Sequence, residues 1–213
     1  MAAELSTLIN PANTALLTME VQGATMGAQA VLPMLRDVAG EHGTVAAIAR
    51  ACNAARAAGV RVVHCVAEER ADRAGSKINS RLQSVSAKMA GPGRTALEVG
   101  TAGAQVVPEL GPHPDDIVVG RLHGITPFIN TSLDQILRNL GVTTVIATGV
   151  SLNVGVLGLT MNAVDLGYQV VIPTDAVAGV PYDYGQTLLA NTFAMLATLT
   201  TVDDVINAWA IHA

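Results

Sequence analysis

The chain has 213 residues, 50% hydrophobic, 14% charged and 3% aromatic, with a formal net charge of -5. That length fits a single domain over residues 1–213 with one substantial core rather than two units. Scattered basic residues leave no footprint for a phosphate backbone, and so few aromatics offer no stacking platform for single strands, which excludes nucleic acid as a partner.

The apolar stretches are broken by Gly, Asn, Asp or Pro short of the roughly 18 residues that a membrane span needs, so no membrane association is expected. Cys52 and Cys65 form neither a disulfide framework nor a metal-ligand spacing, and two free thiols suit a reducing cytoplasm. The first residues, MAAELSTLINPANTALL, lack the basic and apolar regions of a secretory signal. An apolar chain with few charges is expected to form a homo-oligomer, a dimer or a tetramer.

In chain order, Thr14 to Glu20 is a short apolar run after the turn-forming Asn10, Pro11 and Asn13, and it reads as a strand buried on both faces. Gly43 to Ala58 is an Ala-rich helix ended by Gly59, and the strand Val60 to Val66 follows at once. Strand, helix and strand in that order imply a right-handed crossover and a parallel sheet. Residues 67 to 110 carry a charged segment and a GPGR break and read as a long surface excursion. Then come a strand at Asp116 to Val119, a helix at Ser132 to Leu140, a strand at Thr143 to Thr148 and a helix from Leu152 to Leu166. A strand at Tyr168 to Ile172, a helix near Tyr184 to Leu196 and a last short strand and helix complete the chain. The alternation predicts an α/β doubly wound, mostly parallel six-stranded sheet with helices on both faces, whose ligands sit beyond the carboxyl ends of the strands.

Four blocks in order carry a resemblance: TALLTMEVQ from Thr14, VGTAGAQVVPELGPHPDDIVVGR from Val99, PFINTSLDQILRNLGV from Pro127, and ATGVSLNVGVLGLTMNAVDLGYQVVIPTDAVAG from Ala147. Together they resemble the isochorismatase-like (cysteine hydrolase) superfamily over roughly residues 14 to 180. The resemblance implies a Rossmann-like three-layer fold, a small-molecule substrate, a catalytic acid at the end of the first strand, a catalytic lysine, and a nucleophilic cysteine at a strand-to-helix turn. This chain departs at each of the three positions. Glu20 stands for the family's Asp, Arg121 for its Lys, and Gly155 for its Cys. The lysine match is ambiguous by one residue, since counting back from Phe128 reaches Leu122; Arg121 is preferred. The family's turn also implies a cis peptide between Val150 and Ser151.

Glu20 is the leading candidate, because a carboxylate ending a buried apolar strand is costly unless paired or used. Arg121 stays charged at any working pH, so it can hold an anion but is a poor proton shuttle. The turn at Gly155 can lend helix N-terminal N–H groups to an oxyanion. His123 offers a group that titrates near neutrality, and Gln22, Ser151, Asn153 and Val154 stand at the same mouth as candidate substrate contacts. Each also has a plain structural reading as a loop or capping residue. His64 with Glu68 and Glu69 lacks a second histidine at ligand spacing, so no metal and no cofactor is expected. Asp175 reads as a turn former, Cys52 as helix packing and Cys65 as a buried strand residue.

Three readings of function remain open. The first is a hydrolase working without a cysteine on a small anionic substrate with a vinyl-ether or amide-like bond, Glu20 serving as acid or base. The second is an inactive member of the fold that binds or assembles. The third is an amidase using Cys65. A bound anion or an ordered water between Glu20 and Arg121 favours the first, a pocket filled by side chains favours the second, and an ion pair of Glu20 with Arg121 alone is the plain structural reading of that carboxylate.

Overall fold

Every residue of the first strand, β1 (Thr14–Met19), is buried, as a run of Ala, Leu, Thr and Met without polar alternation requires of a central parallel strand. The computed structural model describes residues 5–28, 30–91 and 95–211. Beside β1 lie β2 (Arg61–Ala67) and β4 (Thr144–Val150), both parallel to it, with Thr18 in register with His64 on one side and Thr148 on the other. The strands β3 (Ile117–Arg121), β5 (Gln169–Pro173), β6 (Val177–Ala178) and β7 (Thr198–Thr200) extend the sheet, in the order β3-β2-β1-β4-β5-β7.

Among the described residues the sheet therefore has seven strands where six were expected. The extra one is β6, which pairs with Gly149 and Val150 at the end of β4, whereas β5 pairs with its beginning. Only the 3-10 turn Thr174–Ala176 separates β5 from β6. The two are one lane of the sheet interrupted by a turn.

The helices are α1 (Leu5–Leu8), α2 (Gly23–Met26), α3 (Pro33–Glu41), α4 (Thr44–Ala57), α5 (Arg81–Ala90), α6 (Leu133–Asn139), α7 (Leu157–Asp165), α8 (Tyr182–Leu188), α9 (Ala194–Leu196) and α10 (Val202–Ala210). One apolar cluster joins α4 and α10 to Leu16, Val62, Ile146 and Val171 on one face of the sheet. The other packs α6, α7 and α8 on Leu17, Val63, Val145 and Ile172. Alternate residues of each strand thus feed opposite cores, and this double burial explains the apolar composition. Positive φ angles at Gly59, Gly141 and Gly167 end the three helices where the sequence places their stops. No helix among the described residues is long and apolar enough to cross a membrane.

The excursion after β2 is more ordered than its sequence suggests. It contains α5, whose N-cap Ser80 accepts from the Gln83 amide, while Gln83 Oε1 accepts from Asn79 N and the Ser80 hydroxyl. This is a reciprocal cap of the Ser-x-x-Gln type. The helix buries no residue of its own and lies over the end of the sheet as a wall. Asp116, expected to open β3, instead precedes it and accepts from Arg56 and His64 at the opposite edge of the sheet.

Candidate functional site

At Glu20 the chain leaves β1 with φ of 51°, a left-handed conformation that non-glycine residues rarely adopt away from sites that use it. The backbone there is held on both sides. Glu20 N donates to Cys65 O at 2.9 Å, and the Thr25 hydroxyl donates to Glu20 O. Two residues on, the buried Gln22 amide ties the neighbouring chain ends together. It accepts from Ala67 N at 2.8 Å and donates to Ala67 O at 2.9 Å and Ala104 O at 2.6 Å. With its amide so committed, Gln22 does not line the cavity; it fixes the segment that carries Glu20.

Arg121, the last residue of β3, reaches across to Glu20 and forms an ion pair through Nη2. Its Nε donates to Gly124 O at 3.3 Å and Nη2 also approaches Ile125 O at 3.4 Å. Nη1 is buried with no hydrogen-bond partner among the described residues. Burial lowers the guanidinium to about 10, which still leaves it a cation at neutral pH. Leu122, the competing match for the family lysine, is 42% exposed and makes no part of this pair.

The third element is the turn after β4. Gly149 has φ of 108°, and a Cβ there would lie 2.3 Å from Met19 O, so only glycine lets β4 pass β1 this closely. The Val150–Ser151 peptide is cis, as the family's turn implies. A π-turn, Leu152–Val156, then leads into α7, and Val154 N and Val156 N both donate to Ser151 O. Behind Gly155 stands Met19: a Cβ at 155 would lie 2.9 Å from Met19 Cε and 3.2 Å from Val150 O. The space that a side chain at 155 would take is therefore occupied by a flexible thioether.

These elements meet in a cavity of about 180 Å³. Glu20, Arg121, His123, Ser151, Val154 and Gly155 all line it. Asn153 does not; its amide donates to Val180 O at 3.3 Å. His123 sits at the exposed rim, where Nδ1 accepts weakly from Lys77 N at 3.4 Å and so tethers the excursion.

The sequence reading missed the walls. Val31, Leu32 and Leu35 come from the α3 side, and Ile78, Leu82 and Ala87 from the excursion and α5. The Ser80–Gln83 capping pattern was a usable signal for α5, but nothing local says that a helix with no buried residue should cover a sheet end. Of the other candidates, His64 is fully buried between the Thr18 hydroxyl at 2.8 Å and Asp116 at 3.1 Å, so it is not free to bind a metal. Asp175 accepts from Val202 N at 2.9 Å and starts α10. Cys65 is fully buried on β2, and burial pushes its thiol up to about 12. Burial likewise pushes Cys52, on α4, up to about 12.

The chain is similar to several known proteins. Ureidoacrylate amidohydrolase RutB of Rhizobium rhizogenes is 30% identical, over 92% of this chain and 83% of its own length. RutB of Methylobacterium radiotolerans is 33% identical over 86% and 74%. A solved cysteine hydrolase from Pseudomonas syringae pv. phaseolicola superposes with a TM-score of 0.78 at 25% identity, covering 97% of this chain and 96% of that one. The isochorismatase domain model matches residues 14–204, and the chain belongs to the isochorismatase family of hydrolases.

Proposed function

We propose that this protein hydrolyses a small carboxylate-bearing substrate at an amide-type bond, with water rather than a cysteine as the attacking group. The observation that carries the reading is the buried Arg121 paired with Glu20 in the lining of an open cavity, its Nη1 buried and without a hydrogen-bond partner among the described residues. An unmet guanidinium donor in a desolvated site is costly unless a ligand oxygen satisfies it. In this reading Glu20, paired with Arg121 at the cavity, has the part of base. Glu20 takes a proton from water, the hydroxide adds to the carbonyl, and Arg121 with the helix N-terminus at Ser151 to Gly155 balances the oxyanion. Collapse then expels the amine, which takes the proton back from Glu20.

The named activity of the RutB relatives supports an amide over a vinyl ether as the bond cleaved. An open cavity, rather than one filled by side chains, weighs against a purely structural descendant of the fold. The buried thiol of Cys65 lies on the strand and not at the turn, which weighs against a cysteine mechanism.

The test is an assay of carboxylated amides, ureidoacrylate among them, with the wild type and with Glu20→Gln and Arg121→Met. Glu20→Gln should lower kcat/KM by about a hundredfold or more, the range expected on losing a general base. Full turnover in that variant, or no turnover of any such amide by the wild type, would overturn the reading.

A further inference from the structure

The cavity wall narrows the substrate class, an inference that rests on the reading above for its carboxylate end. The chain contains two Phe, three Tyr and one Trp. Each has a place elsewhere. Phe128 packs on Tyr168 with ring centroids 6.0 Å apart, and Phe193 lies in the same core. Trp209 donates to Ile9 O on the opposite face. Tyr182, stacked on His42, and Tyr184 stand on α8. None of the six lines the cavity, and the residues outside the described ranges include no Phe, Tyr or Trp.

The larger apolar residues of the lining are instead branched aliphatics: Leu32, Leu35, Ile78, Leu82, Leu97 and Val154. Several polar residues of the lining are already engaged with the protein. The Thr25 hydroxyl donates to Glu20 O, the Ser76 hydroxyl to Leu122 O at 2.7 Å, Gln83 completes the cap of α5, and Arg73 pairs with Glu69 at 3.5 Å. The buried unmet donor of this lining is Arg121 Nη1. The lining also holds Glu68, Lys77, Ser86, His123 and Ser151, so the site sets polar groups beside a predominantly aliphatic surface that has no aromatic face. An engineered apolar cavity of about 150 Å³ holds benzene. By that measure the 180 Å³ here takes about seven or eight non-hydrogen atoms.

We infer that the site selects a short saturated acyl or carboxylate compound, its oxygen on Arg121 and its hydrocarbon chain along Leu32, Leu35 and Leu82, in preference to planar aromatic substrates. A ring would find no face to stack on and would lose the added attraction that aromatic pairs provide. A saturated chain gains from each methylene that it buries.

The test uses unreactive acids, so it reads binding and not turnover. NMR titrations of the wild type with the series from propanoate to octanoate should show about fourfold tighter binding per methylene up to hexanoate, then level off. Benzoate should bind at least about fivefold more weakly than hexanoate, and more weakly too than cyclohexanecarboxylate, the saturated ring acid with the same number of non-hydrogen atoms, since the wall offers it no stacking partner. Leu82 is 38% exposed, so Leu82→Asn should leave the melting temperature near that of the wild type while flattening the chain-length dependence. A flat series in the wild type, benzoate at or above hexanoate, or no binding of any acid overturns the inference, even if amides are hydrolysed. The expected series without hydrolysis of any amide upholds the inference and removes the hydrolase reading.

Discussion

Two arginine–carboxylate pairs sit at opposite edges of the same sheet, and they are finished to different degrees. At the amino-terminal edge, Asp116 accepts from Arg56 Nε at 3.1 Å and Nη2 at 2.8 Å, from His113 N at 2.8 Å and from His64 Nε2 at 3.1 Å. Because a carboxylate only accepts, His64 Nε2 carries the proton, and its Nδ1 takes the Thr18 hydroxyl at 2.8 Å. Arg56 gives further bonds to Asn53 and Leu110 O. At the carboxyl-terminal edge, Glu20 and Arg121 share a single ion pair, Nη1 of Arg121 has no partner among the described residues, and both residues line a cavity. A saturated network stabilises the fold. An unsaturated one in the same fold keeps its capacity for a ligand, and it coincides with a strained residue, Glu20, held in place by Gln22 and Thr25.

Breaking the saturated pair should have the largest effect on stability. Asp116→Ala strands the His113 amide, the His64 ring and the guanidinium of Arg56, and should cost about 2–4 kcal/mol in urea unfolding. Arg121→Met removes a buried cation whose partner, Glu20, can still meet solvent at 22% side-chain exposure. It should cost less than the Asp116 substitution, about 1–2 kcal/mol, while abolishing carboxylate binding, because the Glu20 left behind can still be hydrated, whereas stranding one member of a fully buried pair costs more. Equal losses from the two substitutions would erase the distinction drawn between the edges.

Acid sharpens the same contrast. Burial lowers His64 below its ordinary value, with hydrogen bonding to Asp116 opposing it only in part. Asp116 too is held below the usual carboxylate range by Arg56, His113 N and His64, against its own burial. Both groups bind fewer protons folded than unfolded, so stability rises with pH across each titration. For His64 the contribution is fully present above the unfolded value of 6.5 and is lost as pH falls below it. For Asp116 it is present above the unfolded value of 3.8 and is lost as pH falls further. Replacing His64 with Gln should flatten the slope of stability between pH 7 and about pH 5, a slope limited to about 1.4 kcal/mol per pH unit for one proton. An unchanged slope would show that His64 does not charge on unfolding in that range.

The smallest expected effect is none at all. Native protein treated with iodoacetamide should keep its activity and show no alkylation at Cys65, whose thiol is fully buried and pushed up to about 12. Inactivation in step with labelling at Cys65 would transfer the chemistry to that thiol.

The sequence by itself determined the alternation of the six main strands with α4, α6, α7, α8 and α10, though not β6, α3 or α5, because uninterrupted apolar runs and glycine stops are local properties that survive in any context. It also determined the order of Glu20, Arg121 and Gly155 at three strand ends, since a parallel sheet with crossover helices opens those ends on one edge. The lack of a stacking surface was legible in composition alone. The sequence preferred Arg121 to Leu122, but only the tertiary structure showed Arg121 turned inward to Glu20 and Leu122 meeting solvent, because one residue of register decides which side chain points which way. It alone showed that Gln22 is consumed as a clamp and that Met19 fills the space beside Gly155, and it turned a charged, irregular excursion into a wall built on α5. Those outcomes depend on atoms brought together from segments far apart in sequence, and no local pattern of residues encodes which of their hydrogen bonds will be left unmade.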